Sequence, residues 1–177
     1  TDLHTVARPE MERLAQEAGA AVSLEVLNRG QALVLDEVAN RGPAGAPRDM
    51  GIRLPLHATS TGKVLLAYRP PAEIEQQLRL PLAALTEKTM TAPAQLAQEL
   101  RQIRAQGYAV TREELEVGFV ALAAPIYDHT SAVIAAVSIG GPRIRLTEEH
   151  LPELIALLQV TARTISRQLG YRPGAGM

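Results

Sequence analysis

The sequence predicts an α+β fold in which helices cover both faces of a central antiparallel sheet. Tight turns join neighbouring β-type segments in both halves of the chain, which favours antiparallel pairing. The run from Phe119 to Ile126 is apolar almost throughout. A strand with one face in water would alternate apolar and polar residues, so this run indicates a strand that is covered on both sides.

The composition limits the classes of function. The 177 residues suit one domain with a short appendage at most. The chain has no Cys, which excludes disulfides, thiolate metal sites and cysteine nucleophiles. The net charge of -1 gives no overall basic field for nucleic acid. No apolar run approaches the roughly 20 residues that cross a bilayer. We therefore expect a cytoplasmic domain without a cofactor.

In the first half, the pattern predicts one helix, a hairpin and a loop. Apolar residues recur at helical spacing before a glycine in the C-cap position. Two β-type runs then flank a short turn, and a segment rich in Gly and Pro follows. The predicted elements are a helix at Arg8–Glu17 ended by Gly19, strands at Ala21–Leu27 and Ala32–Val38 around Asn28-Arg29-Gly30, and a loop at Arg41–Met50.

In the second half of the sequence, the pattern predicts two helices, a group of strands and a long final helix. Prolines open the first two helices and a glycine ends the longer one. Thr147 is expected to cap the last helix, which Gly170 ends. The predicted elements are helices at Pro70–Leu78 and from Thr91 and Pro93 to Gly107, strands at Tyr108–Thr111, Val117–Tyr127 and Ser131–Ile139, and a helix from Thr147 to about Leu169.

The segment Leu54–Tyr68 reads LPLHATSTGKVLLAY and contains the most informative motif. Ser60, Thr61 and Gly62 should lie in the first turn of a helix, where free N–H groups and the helix dipole suit a carboxylate or similar anion. Gly62 would let a ligand or a neighbouring backbone come close. The alternative is that the helix start simply packs beneath a loop. Lys63 is expected to face solvent.

Three other interpretations of this segment fail. A phosphate loop needs a glycine five residues before Gly62, where the chain has His57, and a Ser or Thr after Lys63, where it has Val64. The G-x-S-x-G context of a serine hydrolase is absent around Ser60. The four histidines are scattered without an H-x-x-x-H pair, which argues against zinc.

The alternation of side chains along two strands predicts a small cavity. On one strand, the face that includes Ala136 shrinks toward its end, where Ser138 and Gly140 stand. On the other strand, Phe119 and Ala121 share a face. Small residues leave room and Phe119 supplies an apolar wall, which is what a binding pocket needs. Plain packing of alanines is the alternative.

Three segments together resemble the effector-binding domain of IclR-type transcription regulators. They are LPLHATSTGKVLLA, GYAVTREELEVGFVALAAPIYD and AAVSIGGPRIRLTEE. The resemblance covers the chain from about Leu14 to Leu169. It rests on L-P-x-H-A-T-x-x-G-K and on the spacing of Glu114, Gly118 and the A-x-P-I segment in combination.

The resemblance implies a GAF-like fold, in which a curved antiparallel sheet carries helices on both faces. It implies a pocket for a small organic acid, assembly as a homodimer or tetramer, and operator DNA binding only through an upstream winged helix-turn-helix domain that this chain lacks. Residues 1–19 would end the connecting helix, 20–170 would form the effector-binding domain, and 171–177 would be a flexible tail. Arg143 and Arg145 then form a solvated loop or an interface.

By motif position, the resemblance also implies which residues contact the effector. At Thr111 the family often has an acidic residue, and at Gly140 some relatives have a serine, so the identity of the effector does not transfer. The implied contacts are Ser60, Thr61, Gly62, Thr111, Phe119, Ala121, Ser138 and Gly140.

Two other functions remain open from the residues alone. The first is a small-molecule enzyme that uses His57 and Glu114 as acid and base, although no motif brings a nucleophile, a base and an orienting group together. The second is an oligomerisation module with a vestigial pocket. The leading prediction is a ligand-sensing regulatory domain without catalysis and without a bound metal.

Overall fold

A computed structural model describes residues 2–39 and 51–174 of the chain. The predicted loop at Arg41–Met50 and the last three residues lie outside this part. The elements are α1 (Leu3–Ala18), β1 (Ala21–Asn28), β2 (Gln31–Val38), β3 (Arg53–Leu54), α2 (Ser60–Ala67), α3 (Pro71–Leu78), α4 (Pro93–Gln106), β4 (Ala109–Arg112), β5 (Phe119–Tyr127), β6 (Val133–Pro142) and α5 (Leu151–Gln168).

The strands form a six-stranded sheet in the order β3-β2-β1-β6-β5-β4, and every neighbouring pair is antiparallel. Pairing of β1 with β6 joins the two halves of the chain. The sheet carries helices on both faces, which confirms the predicted fold class. None of the helices in the described part of the chain is long and apolar enough to cross a membrane.

The first face of the sheet is covered by α1 and α5. Met11 on α1 and Leu158 on α5 have no exposed surface and pack against alternate residues of β6, such as Val137 and Ile139. The apolar stripe predicted from Arg8 to Glu17 is the part of α1 that makes this contact. This face therefore holds the larger hydrophobic core.

The helices and strands of residues 2–39 and 51–174 cover the second face only in part. Helix α2 packs against β5 and β6, with α4 behind it. Ala123 and Ala136 are fully buried beneath these helices, and their small side chains let α2 approach the sheet closely. Farther along the same face of β6 stand Ser138 and Gly140, which line open space instead. The same face of β5 and β6 is therefore part of the core beneath α2 and forms a wall of the cavity farther along the strands.

Turns and helix ends follow the predicted residues, with two exceptions at helix starts. Helix α1 begins at Leu3, well before the predicted start at Arg8, so Pro9 lies inside the helix. Arg29 and Gly30 both have positive φ, of 53° and 73°, as a two-residue hairpin turn of the primed kind requires. Helix α5 begins at Leu151 and not at Thr147, so that prediction was wrong. The amide of His150 donates to the carbonyl of Thr147 in a separate turn, and the Thr147 hydroxyl contacts the His150 ring instead of a backbone amide.

Candidate ligand-binding site

A cavity of about 840 Å³ lies on the second face of the sheet, beside the start of α2. Its walls come from β1, β2, β4, β5 and β6, from the first residues of α2, and from the segments that follow β4 and β6. The cavity forms because the side chains of the strands that extend past the start of α2 are small. Its volume suits a small organic molecule.

The structure brings together all but one of the residues expected to contact an effector. The exception is Gly62, which is not part of the cavity wall. The members that line the cavity are Ser60, Thr61, Thr111, Phe119, Ala121, Ser138 and Gly140.

Gly62 lies beneath the loop that precedes α2. Its amide donates to the side-chain hydroxyl of Thr59, the N-cap residue, at 3.0 Å. A Cβ atom at this position would lie 2.5 Å from the Cα atom of Leu56 and 2.7 Å from its carbonyl oxygen. The glycine therefore permits close packing of the helix start against the loop, which is the alternative that the sequence left open.

Gly62→Ala should destabilise the fold by about 1–3 kcal/mol, because the added methyl group overlaps backbone atoms that cannot rotate away. The direction of the change in the free energy of unfolding is informative, since Gly→Ala at an open position within a helix stabilises a protein by roughly 1 kcal/mol. Urea unfolding of the variant and the parent measures the difference. An unchanged or increased free energy of unfolding would contradict the packing role.

The start of α2 presents two unused amides to the cavity. Ser60 and Thr61 are buried, and both line the cavity wall. Neither amide donates to an acceptor among the residues that the structure describes, because the first amides of a helix have no partner inside the helix. These N–H groups and the positive end of the helix dipole can hold an anion.

A buried carboxylate organises the hydroxyl groups of the cavity. Glu25 on β1 accepts hydrogen bonds of 2.6 Å from the hydroxyls of Ser23 and Thr61, one on each carboxylate oxygen. The hydroxyl of Ser23 also lies 2.6 Å from that of Ser138 on the neighbouring strand β6. We call Ser23, Glu25, Thr61 and Ser138 the Glu25 cluster.

Sequence reasoning missed Glu25 and Ser23. The two residues stand two positions apart on β1 and therefore share a face of the sheet. Two polar residues at this spacing within the apolar run Ala21–Leu27 were the available signal of a polar site on one face of the strand. The partners of these residues could not be identified from the run, because Thr61 and Ser138 come from distant parts of the chain.

Arg145, Glu37 and Glu116 also line the cavity, and the sequence did not identify any of these charged residues as part of it. Arg145 is exposed at the rim, where its guanidinium donates to the carbonyl of Gly19 at 3.0 Å. Glu37 on β2 is buried in the wall. An irregularity of pairing near Leu24 and Glu25 places Glu37 on this face while its neighbour Asp36 faces α1 and bonds to Arg8.

Lys63 is fully buried, so the prediction that it faces solvent was wrong. Its ammonium group lies 2.9 Å from a carboxylate oxygen of Glu99 on α4 and also bonds to Glu114, which follows β4. All residues of α2 are buried, since α4 and the segment after β4 cover the side that would otherwise face water. Burial raises the pKa of Glu114, and the charge of Lys63 opposes that shift.

The two residues of the alternative enzyme hypothesis have separate structural partners. The ring of His57 bonds to the carbonyl of Ala83 at 2.8 Å, whereas Glu114 bonds to Lys63. Neither side chain belongs to the cavity wall. Within residues 2–39 and 51–174, no group of three His, Asp or Glu side chains is arranged to hold a metal ion.

Comparison with known families decides between the remaining classes of protein. The family model described as "Bacterial transcriptional regulator IclR C-terminal" matches residues 1–167. The chain belongs to the IclR family. The predicted resemblance is therefore confirmed, and IclR proteins are transcription regulators and not enzymes.

Individual IclR proteins are similar over almost the whole chain. The HTH-type transcriptional regulator BhcR of Paracoccus denitrificans is 35% identical over 171 residues, which are 96% of this chain and 61% of BhcR. The solved C-terminal domain of E. coli KdgR is 35% identical with a TM-score of 0.86, over 97% of this chain and 100% of that domain. The chain spans less than two thirds of the length of the curated IclR relatives it matches.

A third IclR relative was solved with a ligand. It is an IclR homolog from Microbacterium hydrocarbonoxydans complexed with 4-hydroxybenzoate. It is 29% identical to this chain, with a TM-score of 0.85, and the match covers 94% of this chain and 68% of the homolog.

Proposed function

We propose that this chain is the ligand-sensing domain of an IclR-type transcription factor and that its cavity binds a small organic acid. The observation that carries the proposal concerns Ser60 and Thr61 in the cavity wall, whose amides donate to no acceptor within residues 2–39 and 51–174. Occupancy of the cavity would then modulate DNA binding by an upstream winged helix-turn-helix domain. The 4-hydroxybenzoate in the solved homolog is an acid of this kind.

The acid group would bind at the start of α2. Hydrogen bonds to a charged acceptor contribute roughly 1.5–3 kcal/mol each, so the amides of Ser60 and Thr61 can orient a carboxylate without a buried cation. Arg145 at the rim would attract anions toward the cavity. Gly62 contributes indirectly, because it holds the helix start in place.

The remaining part of the effector would contact apolar walls. Phe119 is half-buried and stands beside Gly140, where a Cβ atom would lie 2.7 Å from the ring. Ala121 and Val34 are buried in the same cavity. These side chains accept an aliphatic chain or one ring, while Thr111 adds a polar group on β4.

The rest of the regulator is proposed from the family. Residues 1–19 would end the helix that connects to the DNA-binding domain, 20–170 would form the sensing domain, and 171–177 would be its tail. The regulator would act in the cytoplasm as a homodimer or tetramer. Operator DNA would be bound only through the upstream domain, because this chain, with a net charge of -1, has no overall basic field for nucleic acid.

A thermal-shift screen of small organic acids tests the proposal. An acid at 100 times its dissociation constant should stabilise the fold by about 2.7 kcal/mol, which raises the melting temperature clearly. The matched uncharged amides of the same acids serve as controls, since they lack the anion that the helix start would hold. If no acid raises the melting temperature, or if the amides act equally well, the assignment of an acid site is wrong.

A further inference from the structure

The positions of the hydroxyl protons in the Glu25 cluster are fixed by the carboxylate. A serine or threonine hydroxyl has one proton, and an ionised carboxylate only accepts. The hydroxyl of Thr61 donates to one oxygen of Glu25, at 2.6 Å, and the hydroxyl of Ser23 donates to the other, also at 2.6 Å. Neither hydroxyl has a proton left for another partner.

The contact between Ser23 and Ser138 then has only one possible direction. Their oxygens are 2.6 Å apart, and the proton of Ser23 already points to Glu25. Ser138 must therefore donate to Ser23, and its own proton points away from the cavity. Toward a ligand, Ser138 and Thr61 present lone pairs alone.

We infer that the effector carries a hydrogen-bond donor, such as a hydroxyl group, that binds to the Ser138 side of the cavity. This inference rests on the proposed function and narrows it, because a plain acid would leave the lone pairs of Ser138 without a donor. Those lone pairs lie at a buried site, since Ser138 is 7% exposed, where unmatched polar groups are costly.

The cavity beside Ser138 has room for such a group. Its neighbours on this face are small: Gly140 lies two residues farther along β6 beneath the ring of Phe119, and Ala121 on β5 pairs with Gly140. A hydroxy acid therefore matches both ends of the cavity.

Calorimetry with matched probes tests the inference on the whole chain. The probes are 3- and 4-hydroxybenzoate, the corresponding fluorobenzoates, and glycolate with fluoroacetate, since fluorine resembles hydroxyl in size but has no proton. In at least one pair, the hydroxy acid should bind roughly tenfold more tightly, as one added hydrogen bond predicts. Equal affinities within every pair that binds would overturn the inference and leave the acid site standing. If no probe acid binds, the acid site fails and the inference fails with it.

Variants test whether the cluster sets this preference. Glu25→Gln supplies an N–H₂ group that can donate to Ser23 or Thr61 and reverse the chain of protons, so the tenfold preference should shrink to near unity. Glu73→Gln removes a carboxylate on α3 that pairs with Arg69, outside the cavity, and should keep the preference. Ser138→Ala removes the acceptor itself and should abolish the preference even where Glu25→Gln does not fold. Retention of the full preference by Ser138→Ala would refute the role of the cluster.

Discussion

Ser138→Leu should abolish binding of any acid found by the thermal-shift screen, with a loss of at least a hundredfold, or about 2.7 kcal/mol. Ser138 points into the cavity between the Glu25 cluster and the space beside Gly140. A leucine there fills that space, and a ligand forced against it meets the overpacking that costs roughly 1–3 kcal/mol in a packed interior. It also removes the hydroxyl that accepts from the effector.

The fold should survive this change, because the new side chain enters open space and not the core on the other face. Calorimetry gives the affinity, and urea unfolding checks that stability stays within about 1 kcal/mol of the parent. Ser138→Ala is the matched control: it keeps the room but loses the hydroxyl, so binding should weaken by roughly tenfold for a ligand with a donor. If Ser138→Leu binds as tightly as the parent, the effector occupies another site.

Lys63→Met should destabilise the domain by about 3–5 kcal/mol, the usual cost of removing one partner from a buried ion pair. Methionine matches the length of the lysine stem but leaves the carboxylates of Glu99 and Glu114 without their cation. These side chains are only 21% and 13% exposed. Burial already raises the pKa of Glu114, and loss of the lysine charge should raise it further.

Urea unfolding of Lys63→Met should show the full cost near neutral pH, and the cost should shrink as lower pH protonates Glu114. Lys88→Met is the control, since Lys88 is 56% exposed and Glu113 keeps Arg143 and the amide of Gly118 as partners, so the loss should stay below about 1 kcal/mol. A triple variant with Glu99→Gln and Glu114→Gln should recover much of the loss, because no uncompensated charge then remains buried. Equal small losses for Lys63→Met and Lys88→Met would contradict the buried role.

The strand faces could be predicted because side chains alternate strictly along a strand. Once β5 and β6 were recognised, Ala121, Ser138 and Gly140 had to share a side, and the structure places them together. The first turn of α2 was also predictable, since Thr59 and Ser60 are typical capping residues before an apolar run. Local pattern was sufficient for both features.

Features that depend on distant residues could not be predicted. The burial of Lys63 depends on α4 and on the segment after β4, which lie more than thirty residues away and carry Glu99 and Glu114. The importance of Glu25 depends on Thr61, a donor from α2. The start of α5 was misplaced because Thr147 has the residue type of a helix cap but its carbonyl closes a separate turn.

Alternate residues of β6 face the core and the cavity, and this affects how the ligand preference of the sensor can change. Val137 and Ile139 belong to the core beneath α1 and α5, whereas Ser138 and Gly140 between and beyond them face the cavity. Substitutions at Ser138 and Ala121 should therefore change ligand preference without reaching the core. A side chain at Gly140 would first have to displace the ring of Phe119, which lies 2.7 Å from where its Cβ atom would stand. Ser138 and Ala121 are both small, so single changes at these two positions should narrow the cavity stepwise. A library confined to them offers a route to biosensors for other metabolites on an unaltered scaffold.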